Sequence, residues 1–258
     1  MKKRIILLVT LIVVCMLLVA CGGGASTEKS NSKVLRVGTN PDFKPFEFQE
    51  KDKKEFVGFD MDLIKAIGKQ AGYEVQINSL AFDGLLPALM SKNIDVAISG
   101  MTITPARAEK VLFSDPYYKS GLSIVVQKEN NNIKSIKDLE GKKIAVQIGT
   151  SSAMAAKKIP NATVREFDNV SSLFLELKNK GVDAVINDLP VNQSYIKTST
   201  DSGLKILSDI ISAEDYGFAI AKENKELHKK LNAALVEIKK NGEYDNIYKK
   251  WFGDNITK

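Results

Sequence analysis

Residues Asn93–Gly100 read NIDVAISG, and in the second half of the chain Gly181–Asp188 read GVDAVIND. Each is an apolar run of branched and small residues that ends in a small polar pair, the pattern of a buried strand. Two stretches precede them in the same order, VLRVGTN at Val34–Asn40 and AVQIGTS at Ala145–Ser151. In each half a strand ending in Gly-Thr leads through a helix to the apolar strand. Short strands also resemble one another by chance, and that alternative stays open. If the echo is genuine, one chain folds as two similar lobes. Open α/β sheets place ligands beyond the carboxyl ends of their parallel strands, so both lobes would turn their loops into one cleft.

The segments around these four fit the same class. YEVQINS, ATVREF and LKIL have strand character. FDMDLIKAIGKQAG, FDGLLPALMSK, SSAMAAKKI, VSSLFLELKNKG and LPVNQSYIKTS have helical spacing. Strands alternating with helices predict an α/β fold with largely parallel sheets. Leu227, Leu231, Ala234, Leu235 and Ile238 mark one face of a long helix near the C-terminus.

The N-terminus has a different character. MKKR is followed by an apolar run, Ile5–Ala20, which with its basic head predicts a secretory signal over residues 1–20. The run is shorter than the roughly 20 residues a membrane span needs. Its end, LVAC at Leu18–Cys21, resembles a bacterial lipobox, which implies cleavage before Cys21 and acylation of that residue. Residues 21–32 then form a lipidated Cys and a flexible Gly/Ser-rich tether. Cys15 leaves with the signal, so the mature chain keeps one thiol and no disulfide is expected. The expected location is the extracytoplasmic face of the cell membrane, lipid-anchored, as in Gram-positive bacteria. The formal net charge of +6 falls to +3 without Lys2, Lys3 and Arg4, and the remaining lysines are mixed with acids. That excludes a nucleic-acid-binding surface as the expected function.

Four segments carry candidate chemistry. ISGMTITPARAEK, Ile98–Lys110, opens a helix with Thr104 as N-cap and Pro105 in the first turn. Arg107 then sits where the helix dipole disfavours a cation, so an anion is needed: a ligand carboxylate, or an internal Asp or Glu. Ser99, Gly100 and Thr102 lie at the preceding strand end. TNPDFKPFEF, Thr39–Phe48, holds three phenylalanines, of which Phe46 and Phe48 are expected in the core. Phe43 and Phe82 face either the core or the cleft. QIGTSSA, Gln147–Ala153, presents backbone N–H groups at a helix start, either to an anion or only to a cap. In INDLP, Ile186–Pro190, Asp188 either caps the next helix or holds an ammonium. A carboxylate grip, an ammonium acceptor and two aromatic rings together suit a free α-amino acid.

KPFEF, VGFDMDL, PALMSKNIDVAISGMTITPAR, FSDPYYKSGL and YDNIYKKWFG, spread from about Leu35 to Phe252, are similar to the polar amino-acid-binding proteins of ABC importers. These form the bacterial extracellular solute-binding family 3, and the likeness is greatest to its glutamine-binding members. The resemblance implies a two-lobe periplasmic-binding-protein-like α/β fold (type II). Lobe one would be residues 33–116 plus 217–258 and lobe two residues 122–211, joined by hinge crossings at 117–121 and 212–216. The ligand would lie in the interlobe cleft. It further implies that Arg107 grips the α-carboxylate with Thr102 and the backbone at Ser151. Asp188 and the Gly100 carbonyl would take the α-ammonium, and Phe43 and Phe82 would sandwich the side chain. Asn40, Ser99, Gln147 and Asn187 would line the rest. The glutamine-binding pattern has Asp, Lys and His where this chain has Asn40, Gln147 and Asn187. A subsite without acid or base still suits an uncharged amide, so glutamine is the expected ligand and arginine the alternative; Asp42, the acid nearby in the same loop, is expected to face solvent. No cofactor or metal is implied. The implied partners are the free amino acid, the ABC permease and, through Cys21, the membrane, with the protein a monomer. Relatives of this fold that dehydrate prephenate or arogenate are the enzymatic alternative. They need a titratable group facing substrate, and the single histidine, His228, lies on the C-terminal helix away from the cleft motifs; no enzyme activity is expected.

Overall fold

The structure is a computed structural model that describes residues 33–199 and 203–254. The signal-like run, Cys21 and the tether lie outside the described residues.

The strands, in chain order, are β1 (Lys33–Thr39), β2 (Asp42–Phe43), β3 (Glu47–Gln49), β4 (Phe56–Val57), β5 (Tyr73–Ser79), β6 (Val96–Ala97) and β7 (Val111–Phe113), then β8 (Tyr118–Gln127), β9 (Lys143–Gln147), β10 (Thr163–Phe167), β11 (Ala184–Asp188), β12 (Leu204–Tyr216) and β13 (Ala219–Ala221). One five-stranded sheet has the order β5-β1-β6-β13-β7, and the other has β10-β9-β11-β8-β12. The echoed segments thus occupy equivalent places. VLRVGT is β1 and AVQ ends β9, each between a parallel edge strand and the apolar strand, which is β6 or β11. The fold is a mixed α/β, two-lobe, periplasmic-binding-protein-like architecture. A short three-stranded sheet, β2-β3-β4, sits beside the first lobe.

The sheets are less parallel than the sequence suggests. β8 runs antiparallel to β11, and β13 antiparallel to β6 and β7. The physical reason is topological. β8 and β13 each enter a sheet from the other lobe, so each runs away from the cleft while β1, β6, β9 and β11 run toward it. β12 pairs antiparallel with β8 from Tyr216↔Tyr118 to Ser212↔Leu122 and onward, with irregular register near Ile206–Ser212. The two stretches between lobes therefore form a paired ribbon rather than two separate threads.

The helices are α1 (Phe59–Gln70), α2 (Leu85–Met90), α3 (Pro105–Ala108), α4 (Ser151–Ala156), α5 (Val170–Lys178), α6 (Leu189–Thr198), α7 (Lys225–Lys240) and α8 (Glu243–Phe252). The five residues marked by helical spacing on α7 are all buried. At 1.5–3 kcal/mol for each large apolar side chain removed from water, roughly, this face alone fixes the helix. Lobe two has its own core, including Ile124, Val126, Ile144, Val146 and Ile186. Phe46 is fully buried and packs on Tyr118 at 4.8 Å and Tyr216 at 5.2 Å between ring centres, so it locks the ribbon to lobe one. Phe48, expected in the core, is only half-buried and lies against the Trp251 ring at 5.9 Å.

Candidate functional site

A tight cavity of about 10 Å³ between the strand ends is lined by Asn40, Phe43, Glu47, Phe82, Ser99, Gly100, Thr102 and Arg107 from lobe one, and by Gln147, Thr150, Ser151 and Asp188 from lobe two. Ten of the residues singled out above thus meet around one space. Asn187 does not. Its amide donates to Asn192 Oδ1 at 3.3 Å, inside lobe two. The reason is the strand period: with Asp188 facing the cavity, its neighbour on β11 must face the opposite side. Glu47 and Thr150 line the cavity without having been marked.

The local sequence explains each position. Thr104 caps α3 by accepting from the Arg107 N–H at 3.3 Å, with Pro105 at the start. This sets Arg107 on the inner side of a single turn. Gly100 has φ of +50°, and a Cβ there would sit 2.5 Å from Phe43 Cε1, so glycine is required for both the backbone and the ring. Thr150 caps α4 and accepts from the Ala153 N–H at 3.2 Å, leaving Ser151 at the cavity edge.

Arg107 is 7% exposed, and among the described residues no carboxylate lies within ion-pair distance of it. Its Nη1 donates to Thr102 O at 2.7 Å and its Nη2 to Gly149 O at 3.0 Å, so the guanidinium joins the two lobes. Its face lies over Phe82 at 5.3 Å. Burial pushes its pKa down, opposed by the charges of Glu214 and Asp188.

Asp188 does not cap α6 with its side chain. It accepts from Tyr216 OH and from Ser120 Oγ at 3.4 Å, both on the interlobe ribbon. Burial, reinforced by Glu214, raises its pKa to about 7, against the Tyr216 and Ser120 bonds and Arg107. Glu214 Oε2 accepts from Thr102 Oγ1 at 2.8 Å and from Ser151 Oγ at 2.9 Å, one hydroxyl from each lobe.

At the other end Gln147 Nε2 donates to Asn40 Oδ1 at 2.9 Å, again across the lobes. Asn40 is held by Leu80 O at 3.0 Å and, through its N–H, by Ser99 Oγ at 3.0 Å. Ser99 Oγ in turn donates to Glu47 Oε1 at 2.8 Å. Behind Glu47 lies Asp60, whose Oδ2 accepts from Gly100 N and Tyr117 OH, each at 2.8 Å. Asp42 accepts from the N–H and hydroxyl of Ser171 at 3.0 and 2.7 Å, so it too ties the lobes at the rim. The lobes are closed on each other. Among the described residues no group of three or more His, Cys, Asp or Glu is gathered to hold a metal ion, and His228 hydrogen-bonds Phe113 O at 2.7 Å on lobe one's outer side.

Residues 35–254 match the family model of bacterial extracellular solute-binding proteins, family 3. The chain belongs to that family. It is 39% identical over 231 residues to the arginine-binding extracellular protein ArtP of Bacillus subtilis, covering 88% of this chain and 89% of that one. An ancestral arginine-binding protein bound to arginine superposes with a TM-score of 0.82 at 49% identity, covering 85% of this chain and 98% of the other. An ancestral arginine-binding protein bound to glutamine superposes with a TM-score of 0.80 at 48% identity, over 86% and 98%. The family 3 chain described here is an extracytoplasmic solute-binding protein of amino-acid ABC transport, not an enzyme. Among its described residues no helix is long and apolar enough to cross a membrane.

Proposed function

We propose that the protein captures a basic L-amino acid, arginine first, and delivers it to its permease. This reverses the order of preference drawn from the sequence, where glutamine stood first. The observation that carries the reading is the charge of the site. Among the described residues Arg107 is the one cation lining the cavity, whereas Glu47 and Asp188 line it and Asp60 lies directly behind. The α-carboxylate and α-ammonium of any amino acid cancel. A buried excess of acid then favours a ligand that brings one further positive charge. In this reading Arg107 holds the α-carboxylate and Asp188 the α-ammonium. Phe43 and Phe82 flank the stem, and the side chain ends among Asn40, Glu47, Ser99 and Gln147. The names of the relatives above support the same preference.

Glutamine remains the second reading, because the paired Asn40 and Gln147 carboxamides suit an uncharged amide and a similar protein is described bound to glutamine. Calorimetry with arginine, lysine, histidine and glutamine tests the choice. Arginine should bind tightest, and glutamine binding without arginine binding would overturn it. We further propose lobe movement about the β8–β12 ribbon, with lobe bounds of 33–116 plus 217–258 and 122–211. The protein would be a monomer held to the membrane by an acyl chain on Cys21. Cys21→Ser should then release the protein or leave a precursor; unchanged processing and retention would refute the anchor.

A further inference from the structure

Two of the most buried acids in the molecule face one another. Glu47 and Asp60 are both fully excluded from solvent. Glu47 Oε2 and Asp60 Oδ1 each lack any hydrogen-bond donor among the described groups. The Asp60 N–H donates to Phe46 O at 2.9 Å, which ties Asp60 to the backbone beside Glu47. Ionised carboxylates only accept, so these two orphaned oxygens can satisfy one another only if one of the carboxyls carries a proton. The other oxygens are committed: Glu47 Oε1 to Ser99 Oγ, and Asp60 Oδ2 to Gly100 N and Tyr117 OH. The titratable groups facing the pair are Asp188, Tyr117 and Tyr244, and no described Lys, Arg or His lies within ion-pair distance.

We propose that Glu47 and Asp60 share one proton and act as a single negative charge at the side-chain end of the cavity, a counter-charge for a cationic ligand that acid switches off. This rests on the basic-amino-acid reading and names the group that recognises the cation. The proton sits on Glu47, because burial and the neighbouring Asp60 charge push Glu47 well above the usual carboxylate range. Burial raises Asp60 to about 6 against the bonds from Gly100, Tyr117 and Glu47. At neutral pH the pair is therefore a monoanion. Below about pH 6 it takes up a second proton, becomes neutral and loses its attraction for a guanidinium.

Two measurements test this. Glu47 is the only buried glutamate among the described residues. Infrared spectra of the unliganded protein with carboxyl-13C glutamate should show a label-sensitive protonated-carboxyl stretch at neutral pH; its absence would overturn the shared proton whatever the ligand is. The second compares arginine with citrulline, its neutral isostere, by competition calorimetry from pH 5 to 8. Both bring the same α-ammonium to Asp188, so that group cancels. The arginine-to-citrulline affinity ratio should fall by up to about tenfold per pH unit below pH 6, and should be small and flat in Asp60→Asn. A flat ratio in the unmodified protein would overturn the switch while leaving arginine as ligand. Failure to bind arginine would overturn both readings, with the infrared band still reporting on the shared proton.

Discussion

Replacing Asp188 by Asn should stabilise the empty protein at alkaline pH while destroying its binding. Asp188 is buried, its carboxyl is raised to about 7, and its donors are Tyr216 OH and Ser120 Oγ. An unfolded aspartate titrates near 3.9. Between these values the folded state holds more protons than the unfolded chain, so stability falls as pH rises through the window. A single group with those two constants loses about 2–3 kcal/mol between pH 5 and pH 8. Asn keeps an acceptor for Tyr216 and has no charge to desolvate, so the variant should lack that share of the slope. Asp60 titrates in the same direction in both proteins and drops out of the comparison. Urea unfolding at pH 5 and pH 8 measures the difference without ligand. Arginine should restore the unmodified protein at pH 8, because its ammonium neutralises the buried charge, and should do nothing for Asp188→Asn. Identical pH slopes in the two empty proteins would refute the reasoning.

Arg107→Lys keeps a charge but loses the fork that spans Thr102 O and Gly149 O, so arginine affinity should drop at least about tenfold; Arg107→Ala should cost on the order of 2–5 kcal/mol of binding by calorimetry. Gly100→Ala places a methyl against the Phe43 ring in a left-handed backbone position, and should lower the melting temperature by the equivalent of about 1–2 kcal/mol and weaken binding. Asn40→Asp should raise the preference for arginine over glutamine by adding a charge beside Gln147, but should destabilise the empty protein, since a carboxylate would then face Leu80 O where the amide now donates. Competition binding and thermal melts on that variant read the two effects separately.

The sequence carried the two-lobe plan because its strongest signals, the paired apolar strands and their small polar ends, are local and repeated. Arg107 was legible for a similar reason: a cation in the first turn after Thr104-Pro105 is a local anomaly. Other features are set by distant partners. Glu47 lies between Phe46 and Phe48 in a short strand, and nothing nearby announces that Asp60 and Ser99 will bury it. Glu214 sits on the interlobe ribbon among alternating polar residues, and its role emerges only when Thr102 and Ser151 arrive from opposite lobes. Asn187 was assigned by likeness, although strand alternation beside Asp188 already argued against it. Asn40 and Gln147 were both assigned to the lining of the pocket, yet their hydrogen bond across the lobes depends on closure, which a one-dimensional string does not encode.

The position of β13 governs the order in which the molecule can be made. This strand lies between β6 and β7 in the first sheet, yet it comes after the whole of lobe two in the chain. Until Ala219–Ala221 emerge during synthesis, β6 lacks a neighbour on one side and β7 has no place in the sheet. The helices α7 and α8, which cover α1, arrive later still. Lobe two is continuous and can complete its core first. Lobe one must stay open until β13 and the two helices after it are available, so a nascent or truncated chain cannot assemble lobe one's wall of the pocket ahead of time.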